Sequence, residues 1–264
     1  MLAAEQRAEV AHILRVAEAE RTAIAPLGAS FPDLDVEDSY RIQLLNIERR
    51  VAGGAGIVGH KVGLSSEAMQ QMMGVDEPDY GHLLSDMALR EGTPVDAGRY
   101  LLPRVEPEVG FVLGCDLPGE GCTEDDVLAA TAYVTAALEL IDSRIEDWQI
   151  GLVDTIADNA SSAGFVLGQA QIDPRSLDLR AIPVTLWRGP DEVGVGRSDA
   201  VLGNPVTSVA WLARKVASFG VRLQAGHVTL PGSCTRAIDA RPGDAFRADF
   251  GPLGLVSLAF EGAA

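Results

Sequence analysis

The chain carries the stretch RVEPEVGF at residues 104–111, in which a charged side chain recurs at every second position, as along a β-strand. The motif overlaps a strand predicted at residues 105–113, and other strand-like runs lie before and after it at irregular intervals. They occupy residues 57–64, 133–141, 164–168, 182–188, 227–230 and 254–260. This spacing, with few helices between the runs, does not give the regular strand–helix alternation of a doubly wound sheet. We therefore predict an α+β fold whose body is a mixed β-sheet roll.

The N-terminal part of the chain is predicted to be helical. Residues 3–22 carry apolar side chains on one helical face and charged side chains on the opposite face. A second helix begins after Asp35, which is a suitable N-cap, and ends at a glycine pair. The sequence therefore predicts an N-terminal helical segment at residues 1–55 and a β-rich domain at residues 56–264.

Further elements are predicted between the strands. Helices are expected at residues 124–131 and 205–219, the second with Asn204 as its N-cap and a proline at its first position. A short methionine-rich helix is expected at residues 66–73, followed by a loop at residues 76–81. No internal repeat interrupts this pattern.

The overall charge limits the functions that the chain can have. Its 264 residues carry a formal net charge of −17 at pH 7. A surface this acidic repels a phosphate backbone, so we expect no nucleic-acid binding. It also repels an anionic substrate, whose site must therefore supply local positive charge from a lysine, an arginine or a metal ion.

Several features predict a soluble, cytoplasmic protein. The N-terminal residues lack the basic region and apolar core of a signal peptide. No apolar run reaches the roughly 18 residues that span a bilayer, so we expect no membrane association. The three cysteines have no CxxC spacing and suggest no disulfide framework, which fits a reducing compartment.

Three glutamates are candidates for a metal site. Glu106 and Glu108 are two residues apart on a predicted strand, so their carboxylates share one face. Glu139 interrupts an otherwise apolar strand, and a buried, unpaired glutamate needs a cation or a proton. Together they would bind a hard divalent cation and leave positions open for water and substrate. The alternative is a solvated strand edge, which Pro107 would suit.

Ionisable residues near the first strand are further candidates. Lys61 lies between glycines in GHKVG (residues 59–63), where it could anchor a carboxylate or act as an acid or base. The alternative is a structural partner for a nearby carboxylate. His60 points to the opposite face and is interpreted as structural. Asp76 or Asp79 could serve as a base, although loop aspartates usually form turns.

The polar stretch DTIADNASS at residues 154–162 separates apolar segments. It offers hydroxyl groups and backbone N–H groups to an anionic ligand, with Ser161 as a candidate contact. It could equally be a loop that caps itself. Spacing alone does not separate these two interpretations.

Six motifs together resemble a known family. They are GHKVGLSS (59–66), MGVDEPDYGHL (73–83), PRVEPEVGF (103–111), ELIDSRIEDW (139–148), DTIADNASS (154–162) and GNPVTSVAWLA (203–213). On these motifs the chain resembles the 2-oxopent-4-enoate hydratase branch of the fumarylacetoacetase superfamily, which acts in meta-cleavage pathways for aromatic and steroid rings. The similarity runs from near Thr22 to the last strand.

The resemblance implies a set of properties. It implies Mg²⁺ or Mn²⁺ held by Glu106, Glu108 and Glu139, where related C–C hydrolases place an aspartate at the third position. It implies Lys61 as a catalytic or substrate-anchoring residue, and a β-roll core with an N-terminal helical part. It also implies a homo-oligomer, often a pentamer or decamer, and allows association with a partner enzyme of the same pathway.

The implied reaction adds water to 2-hydroxypenta-2,4-dienoate (2-oxopent-4-enoate), or to a close homologue such as 2-hydroxyhexa-2,4-dienoate, and gives a 4-hydroxy-2-oxo acid. The alternative is 2-oxo-3-hexenedioate (4-oxalocrotonate) decarboxylase, a sister with the same metal ligands and lysine. The sister enzymes carry an apolar residue where this chain has Asp79. Hydration needs a group that positions water, so Asp79 favours the hydratase, with Lys61 and Asp79 as catalytic residues and Ser161 as a substrate contact.

Two questions stay open at this level. A catalytically silent metal-binding subunit is a third interpretation, against which the intact metal ligands and Lys61 argue. The substrate tail is also undefined: a diacid would need a second cationic anchor, for which Arg104, Arg144 and Arg236 are candidates. The turn GSCT at residues 232–235 departs from the family pattern, and this region is expected to line the tail of the substrate.

Overall fold

Three helices form the N-terminal part of the protein in a computed structural model that describes residues 1–66, 70–71 and 74–262. They are α1 (Ala4–Glu20), α2 (Leu27–Ser30) and α3 (Val36–Ala52). Asp35 caps α3 as predicted, because its carboxylate accepts the backbone N–H of Asp38 at 2.8 Å. The two predicted N-terminal helices are confirmed within two residues at each end.

These helices share a hydrophobic core with later parts of the chain. Val10, Leu14 and Ile42 pack in one buried cluster with Ile145 and Ala157. Burying an aliphatic side chain of this size stabilises a fold by about 1.5–3 kcal/mol. The helices are therefore packed firmly on the rest of the chain, and a domain boundary at residue 55 stays a prediction.

A seven-stranded mixed sheet forms the centre of the molecule. Its order is β2-β1-β8-β3-β4-β5, and β9 pairs with β3 off this path. The strands are β1 (Ile57–Gly63), β2 (Asp79–Leu84), β3 (Arg104–Leu113), β4 (Thr131–Ile141), β5 (Ser162–Leu167), β8 (Val228–Leu230) and β9 (Ile238–Asp239). Neighbours are antiparallel except β1 and β8. The long strands β3 and β4 therefore lie inside the sheet.

A second, antiparallel sheet packs against the first. Its strands, in the order β11-β10-β6-β7, are β6 (Pro183–Arg188), β7 (Asp191–Arg197), β10 (Ala245–Asp249) and β11 (Leu255–Ala259). Leu186, Phe246 and Leu258 of this sheet share the main buried cluster with Val134 and Leu138 of β4. The core thus lies between two β-layers.

Within the described ranges of the chain, three more α-helices cover the sheets: α4 (Glu124–Ala130), α5 (Leu152–Ala157) and α6 (Pro205–Ala217). At the start of α6 the Asn204 side chain accepts the N–H of Val206 at 3.1 Å, which confirms the predicted cap. Helix α5 packs against α3, and α4 packs against α6. Among the described residues, no helix has the length and apolar character required to cross a membrane.

The predicted α+β class with a mixed sheet is confirmed. All seven strand-like runs are strands, with small shifts at their ends. The predicted loop at residues 76–81 is wrong from Asp79 onward, because β2 begins there. Every residue of β2 is buried, so the strand lacks the alternation that marks a half-exposed strand. The helix predicted at residues 66–73 lies mostly outside the described residues.

Candidate metal centre and active site

The three glutamates predicted to form a cluster do converge. The antiparallel pairing of β3 and β4 places Glu106 directly opposite Glu139, and Glu108 follows on the same face of β3. One carboxylate oxygen from each residue lies within 4.8 Å of the other two. Sheet register therefore assembles the cluster from two neighbouring strands.

The interpretation of a solvated strand edge is wrong. β3 is an inner strand, and the carbonyl of Pro107 accepts the N–H of Cys234 at 2.9 Å. Glu108 and Glu139 are fully buried. On the side of β3 opposite β4, no single strand runs along its whole length, because β8 pairs with one end of β3 and β9 with the other. Pro107 lies between these two pairings, where the missing N–H of a proline is tolerated.

The cluster holds more negative charge than its surroundings neutralise. Burial raises the pKa of Glu106 to about 7 and raises those of Glu108 and Glu139, because a buried carboxylate loses hydration. The N–H of Gly232 donates to Glu108 Oε2 at 2.7 Å, but within the described chain Glu108 Oε1 has no donor. Two buried carboxylates and a half-buried one, with an unpaired oxygen among them, fit a hard divalent cation.

Lys61 is the cation nearest to this cluster. Its Nζ lies 3.3 Å from Glu139 Oε2 and donates a 3.0 Å hydrogen bond to the carbonyl of Ala160. Burial acts to lower the pKa of Lys61, but the surrounding carboxylates, led by Glu139, outweigh burial and raise the pKa above its ordinary value. Lys61 is therefore a fixed positive charge beside the glutamates.

Asp79 faces the same space from β2. It is fully buried and pairs in register with Gly63. Thr155 Oγ1 donates to Asp79 Oδ2 at 3.0 Å, whereas Oδ1 has no partner in the described part of the protein. Burial raises the pKa of Asp79. Asp76, the other predicted candidate, is exposed.

Gly63 explains how Lys61 and Asp79 come together. A Cβ atom at Gly63 would lie 2.2 Å from Asp79 Oδ1 and 3.5 Å from Lys61 Nζ. The sequence suggested that the glycines leave room for a ligand, but here the room is occupied by the Asp79 carboxylate. At Gly59, a Cβ would lie 1.9 Å from the carbonyl of Val228, so that glycine permits close pairing with β8.

The polar stretch at residues 154–162 forms the next wall. Asn159, Ala160 and Ser161 all have positive φ angles, of 56°, 50° and 54°. Such a conformation costs free energy in residues other than glycine and persists only where the surroundings hold it. Ser161 is buried, and its hydroxyl has no partner among the described residues.

A cavity of about 220 Å³, called here the first lobe, joins these residues. Its polar lining includes Lys61, Asp79, Glu106, Thr155 and Ser161. A second lobe of about 520 Å³ shares Arg104 and Glu106 with the first and is lined by residues 233–235 of the turn that departs from the family pattern. The predicted catalytic and substrate-binding residues thus line one space together with Glu106, and the other two glutamates of the cluster adjoin Glu106.

Known proteins resemble the whole chain. The 2-keto-4-pentenoate hydratase of Paraburkholderia xenovorans (strain LB400) is 44% identical over 257 residues, which cover 97% of this chain and 96% of that protein. This chain belongs to the hydratase/decarboxylase branch of the fumarylacetoacetase superfamily. The 2-oxo-hept-4-ene-1,7-dioate hydratase of Escherichia coli is 41% identical, with 95% of this chain and 96% of that protein covered. No protein-family model matches the chain.

A solved structure from the same branch has the same fold. The 4-oxalocrotonate decarboxylase from Pseudomonas putida G7, complexed with magnesium and adipate, superposes with a TM-score of 0.94 at 36% identity. The match covers 98% of this chain and 99% of that chain. The predicted β-roll of the fumarylacetoacetase superfamily is therefore confirmed.

Two residues that support the site were not predicted from the sequence. Thr155 holds Asp79, and Asn159 bonds to the backbone of β2. Both lie in the polar stretch at residues 154–162, so the composition of that stretch was a usable signal. Their partners are more than 70 positions away in the chain, and only the folded structure shows the pairing.

Proposed function

We propose that this protein is a metal-dependent hydro-lyase that adds water to 2-hydroxypenta-2,4-dienoate or to a close homologue such as 2-hydroxyhexa-2,4-dienoate. The product is a 4-hydroxy-2-oxo acid, and the setting is a meta-cleavage pathway of aromatic degradation. The observation that carries the proposal is the cluster of three glutamates, one of which, Glu106, lines a cavity together with Lys61 and Asp79. The 44% identity of the chain to a 2-keto-4-pentenoate hydratase supports the choice of reaction.

The glutamate cluster is the proposed metal site. Glu106, Glu108 and Glu139 would hold Mg²⁺ or Mn²⁺ through carboxylate oxygens, which both ions prefer. When bound, the cation offsets the charge of the substrate C1 carboxylate and stabilises negative charge on the C2 oxygen. The magnesium-bound decarboxylase structure, which is 36% identical, supports this assignment.

Lys61 and Ser161 are proposed to position the substrate acid. The ammonium of Lys61 is fixed by the Ala160 carbonyl at 3.0 Å and offers local positive charge in a protein of net charge −17. The unpaired hydroxyl of Ser161 faces the first lobe and can donate to a carboxylate oxygen. Both groups would bind an anion that the overall field repels.

Asp79 is proposed to move protons and to position water beside the fixed ammonium group of Lys61, the other proposed catalytic residue. The 2-hydroxydienoate first loses the proton of its C2 hydroxyl and takes a proton at C5, which gives the 2-oxo acid with a C3=C4 double bond. Water then adds across that bond, with its hydroxyl on C4 and its proton on C3. Asp79 suits these transfers because Thr155 fixes Oδ2 while Oδ1 stays available. Its raised pKa lets the carboxyl group hold a proton more readily than an exposed aspartate.

The test follows the ultraviolet band of freshly generated 2-hydroxypenta-2,4-dienoate in the presence of the protein and Mg²⁺ or Mn²⁺. We expect rapid loss of the band, suppressed by EDTA, with 4-hydroxy-2-oxopentanoate as the product. Decay at the uncatalysed rate would overturn the proposal for the short substrate. Release of CO₂ from 2-oxo-3-hexenedioate, without hydration of the dienoate, would instead identify a decarboxylase.

We also propose a cytoplasmic homo-oligomer, with five or ten copies, that can associate with a partner enzyme of the same pathway. The family resemblance supports the assembly, and the three free cysteines agree with a reducing compartment. Light scattering after size exclusion would give the mass of the assembly. A monomer across the concentrations used for activity would contradict the oligomer.

A further inference from the structure

The site face continues beyond the glutamates to a less polar end. In the pairing of β3 with β4, Arg104 lies opposite Ile141. This pair is two residues along each strand from the facing pair of Glu106 and Glu139. Side chains two residues apart on a strand share a face, so these four line one surface. Arg104, Glu106 and Ile141 all border the first lobe.

The far end of the first lobe is an apolar wall formed by Ile141, Trp148 and Ile150. Trp148 and its neighbour Asp147 have positive φ angles of 56° and 51°, which neither residue adopts without support. The indole N–H donates to the carbonyl of Leu102 at 3.0 Å and holds the ring in place. A strained, fixed aromatic side chain in a cavity wall indicates a functional constraint.

Arg104 and Trp148 close this end together. The guanidinium of Arg104 stacks 4.3 Å from the centre of the Trp148 ring. Both residues also line a separate cavity of about 280 Å³ on the outer side, with Arg241. The stacked pair therefore separates the first lobe from this outer cavity and limits the length of a bound molecule.

The positive charge of Arg104 at this end of the first lobe is already paired with a carboxylate. Arg104 Nε lies 2.9 Å from Asp239 Oδ1. Lys61, which also borders the lobe, is paired with Glu139 at the metal end. Arg144, a candidate anchor from the sequence, is buried in an ion pair with Asp158 and lines a different cavity. A carboxylate that entered the apolar end would have to compete with Asp239 for Arg104.

We infer that the first lobe selects a short, uncharged substrate tail, so that the protein prefers monocarboxylic 2-hydroxydienoates over the seven-carbon diacid. This inference rests on the proposed hydratase function and deepens it. The residues that carry it are the Arg104–Trp148 wall, the Arg104–Asp239 ion pair and the apolar surface of Ile141 and Ile150. The preference separates this protein from its relative named for 2-oxo-hept-4-ene-1,7-dioate, although the two are 41% identical.

The second lobe is the competing place for a tail. Arg236 lines it and could pair with a distal carboxylate. However, Lys61, Asp79 and Ser161 border the first lobe and are absent from the lining of the second. Because the reacting carbons C4 and C5 must lie beside these groups, the tail that follows them continues into the first lobe.

The experiment compares kcat/KM for 2-hydroxypenta-2,4-dienoate, 2-hydroxyhexa-2,4-dienoate and 2-hydroxyhepta-2,4-diene-1,7-dioate with Mg²⁺. We expect each monoacid to exceed the diacid by at least about tenfold, because a distal carboxylate would be desolvated without a free cation. Equal use or preference of the diacid by the wild type would overturn the inference. Metal-dependent turnover of none of the three would instead overturn the proposed function.

Variants of the two lobes test where the substrate tail binds. Asp239→Asn frees Arg104, and we expect the diacid-to-monoacid ratio of kcat/KM to rise roughly threefold to tenfold. Asp178→Asn removes the same charge from an aspartate of similar exposure (60% against 66% for Asp239) in an ion pair elsewhere on the surface and controls for net charge, so its ratio should not move. Arg236→Met should also leave the ratio unchanged. A ratio that responds to Arg236→Met and not to Asp239→Asn would place the tail in the second lobe.

Discussion

The side-chain amide of Asn159 binds both backbone groups of His82: Nδ2 donates to the carbonyl at 3.0 Å, and Oδ1 accepts the N–H at 2.7 Å. The amide thereby ties β2 to the left-handed turn at residues 159–161. That turn carries the Ala160 carbonyl, which fixes Lys61, and the hydroxyl of Ser161. The side chain of Asn159 thus links the strand that carries Asp79 to the turn that carries Ser161 and fixes Lys61.

Replacing Asn159 by alanine should loosen this turn. Loss of two half-buried hydrogen bonds should lower the free energy of unfolding by about 2 kcal/mol. Misplacement of the groups near Lys61 should also lower kcat roughly tenfold. Urea denaturation and steady-state kinetics would measure the two effects. Asn159→Asp keeps the acceptor and loses the donor, so it should fall between the wild type and Asn159→Ala; no change in either variant would contradict the linkage.

Replacing Glu108 by glutamine should stabilise the metal-free protein and remove its response to metal. The amide relieves the repulsion among the three clustered carboxylates, and the N–H of Gly232 keeps its acceptor. We expect a gain of about 1 kcal/mol without metal. Added Mg²⁺ should raise the Tm of the wild type but not of the variant. Exposed Glu9→Gln is the control, and an unchanged Mg²⁺ response in Glu108→Gln would exclude the residue as a ligand.

Asp79→Asn should abolish most hydration while metal binding is preserved. The amide cannot accept and release a proton, so kcat should fall about a hundredfold. Thr155→Val removes the hydrogen bond that fixes Oδ2, and kcat should fall by a smaller factor of about five to ten. In both variants the Mg²⁺-induced rise in Tm should remain. Hydration by Asp79→Asn at the wild-type rate would show that Asp79 has another role.

The sequence predicted those elements whose signal is local. Glu106 and Glu108 share a strand, so a period of two places them on one face, and Glu139 stands out as a single charge in an apolar run. The cap of α3 at Asp35 is also local, because donor and acceptor are three residues apart. For these features the structure adds distances and register.

Other elements gave no local signal. Strand β2 is buried on both faces, and β7, with two glycines and exposed side chains, lacks apolar alternation. The left-handed turn at residues 159–161 contains no glycine, and of its three residues only Asn159 is of a type that favours positive φ angles. The position of Asp79 beside Lys61 depends on the pairing of β1 with β2, which the sequence did not specify.

Two buried histidines on the opposite face of β1 and β2 should make the protein sensitive to acid. His60 and His82 pair in register, their ring centres are 4.7 Å apart, and both are fully buried. Burial lowers the pKa of His82 to about 4 and lowers that of His60 well below its ordinary value. Both histidines are therefore neutral in the folded protein at neutral pH.

The sign of the pH effect follows from these lowered pKa values. Below about pH 6.5 the unfolded chain binds protons that the folded protein excludes, so the free energy of unfolding should fall as the pH falls, by about 3 kcal/mol for His82 near pH 4. His60→Leu removes one such site and should make the loss shallower, whereas exposed His12→Asn should not. Urea denaturation from about pH 7.5 to about pH 4.5 with saturating Mg²⁺, which keeps the glutamates ionised, measures this slope. Equal slopes for His60→Leu and the wild type would show that the buried histidines do not cause the acid sensitivity.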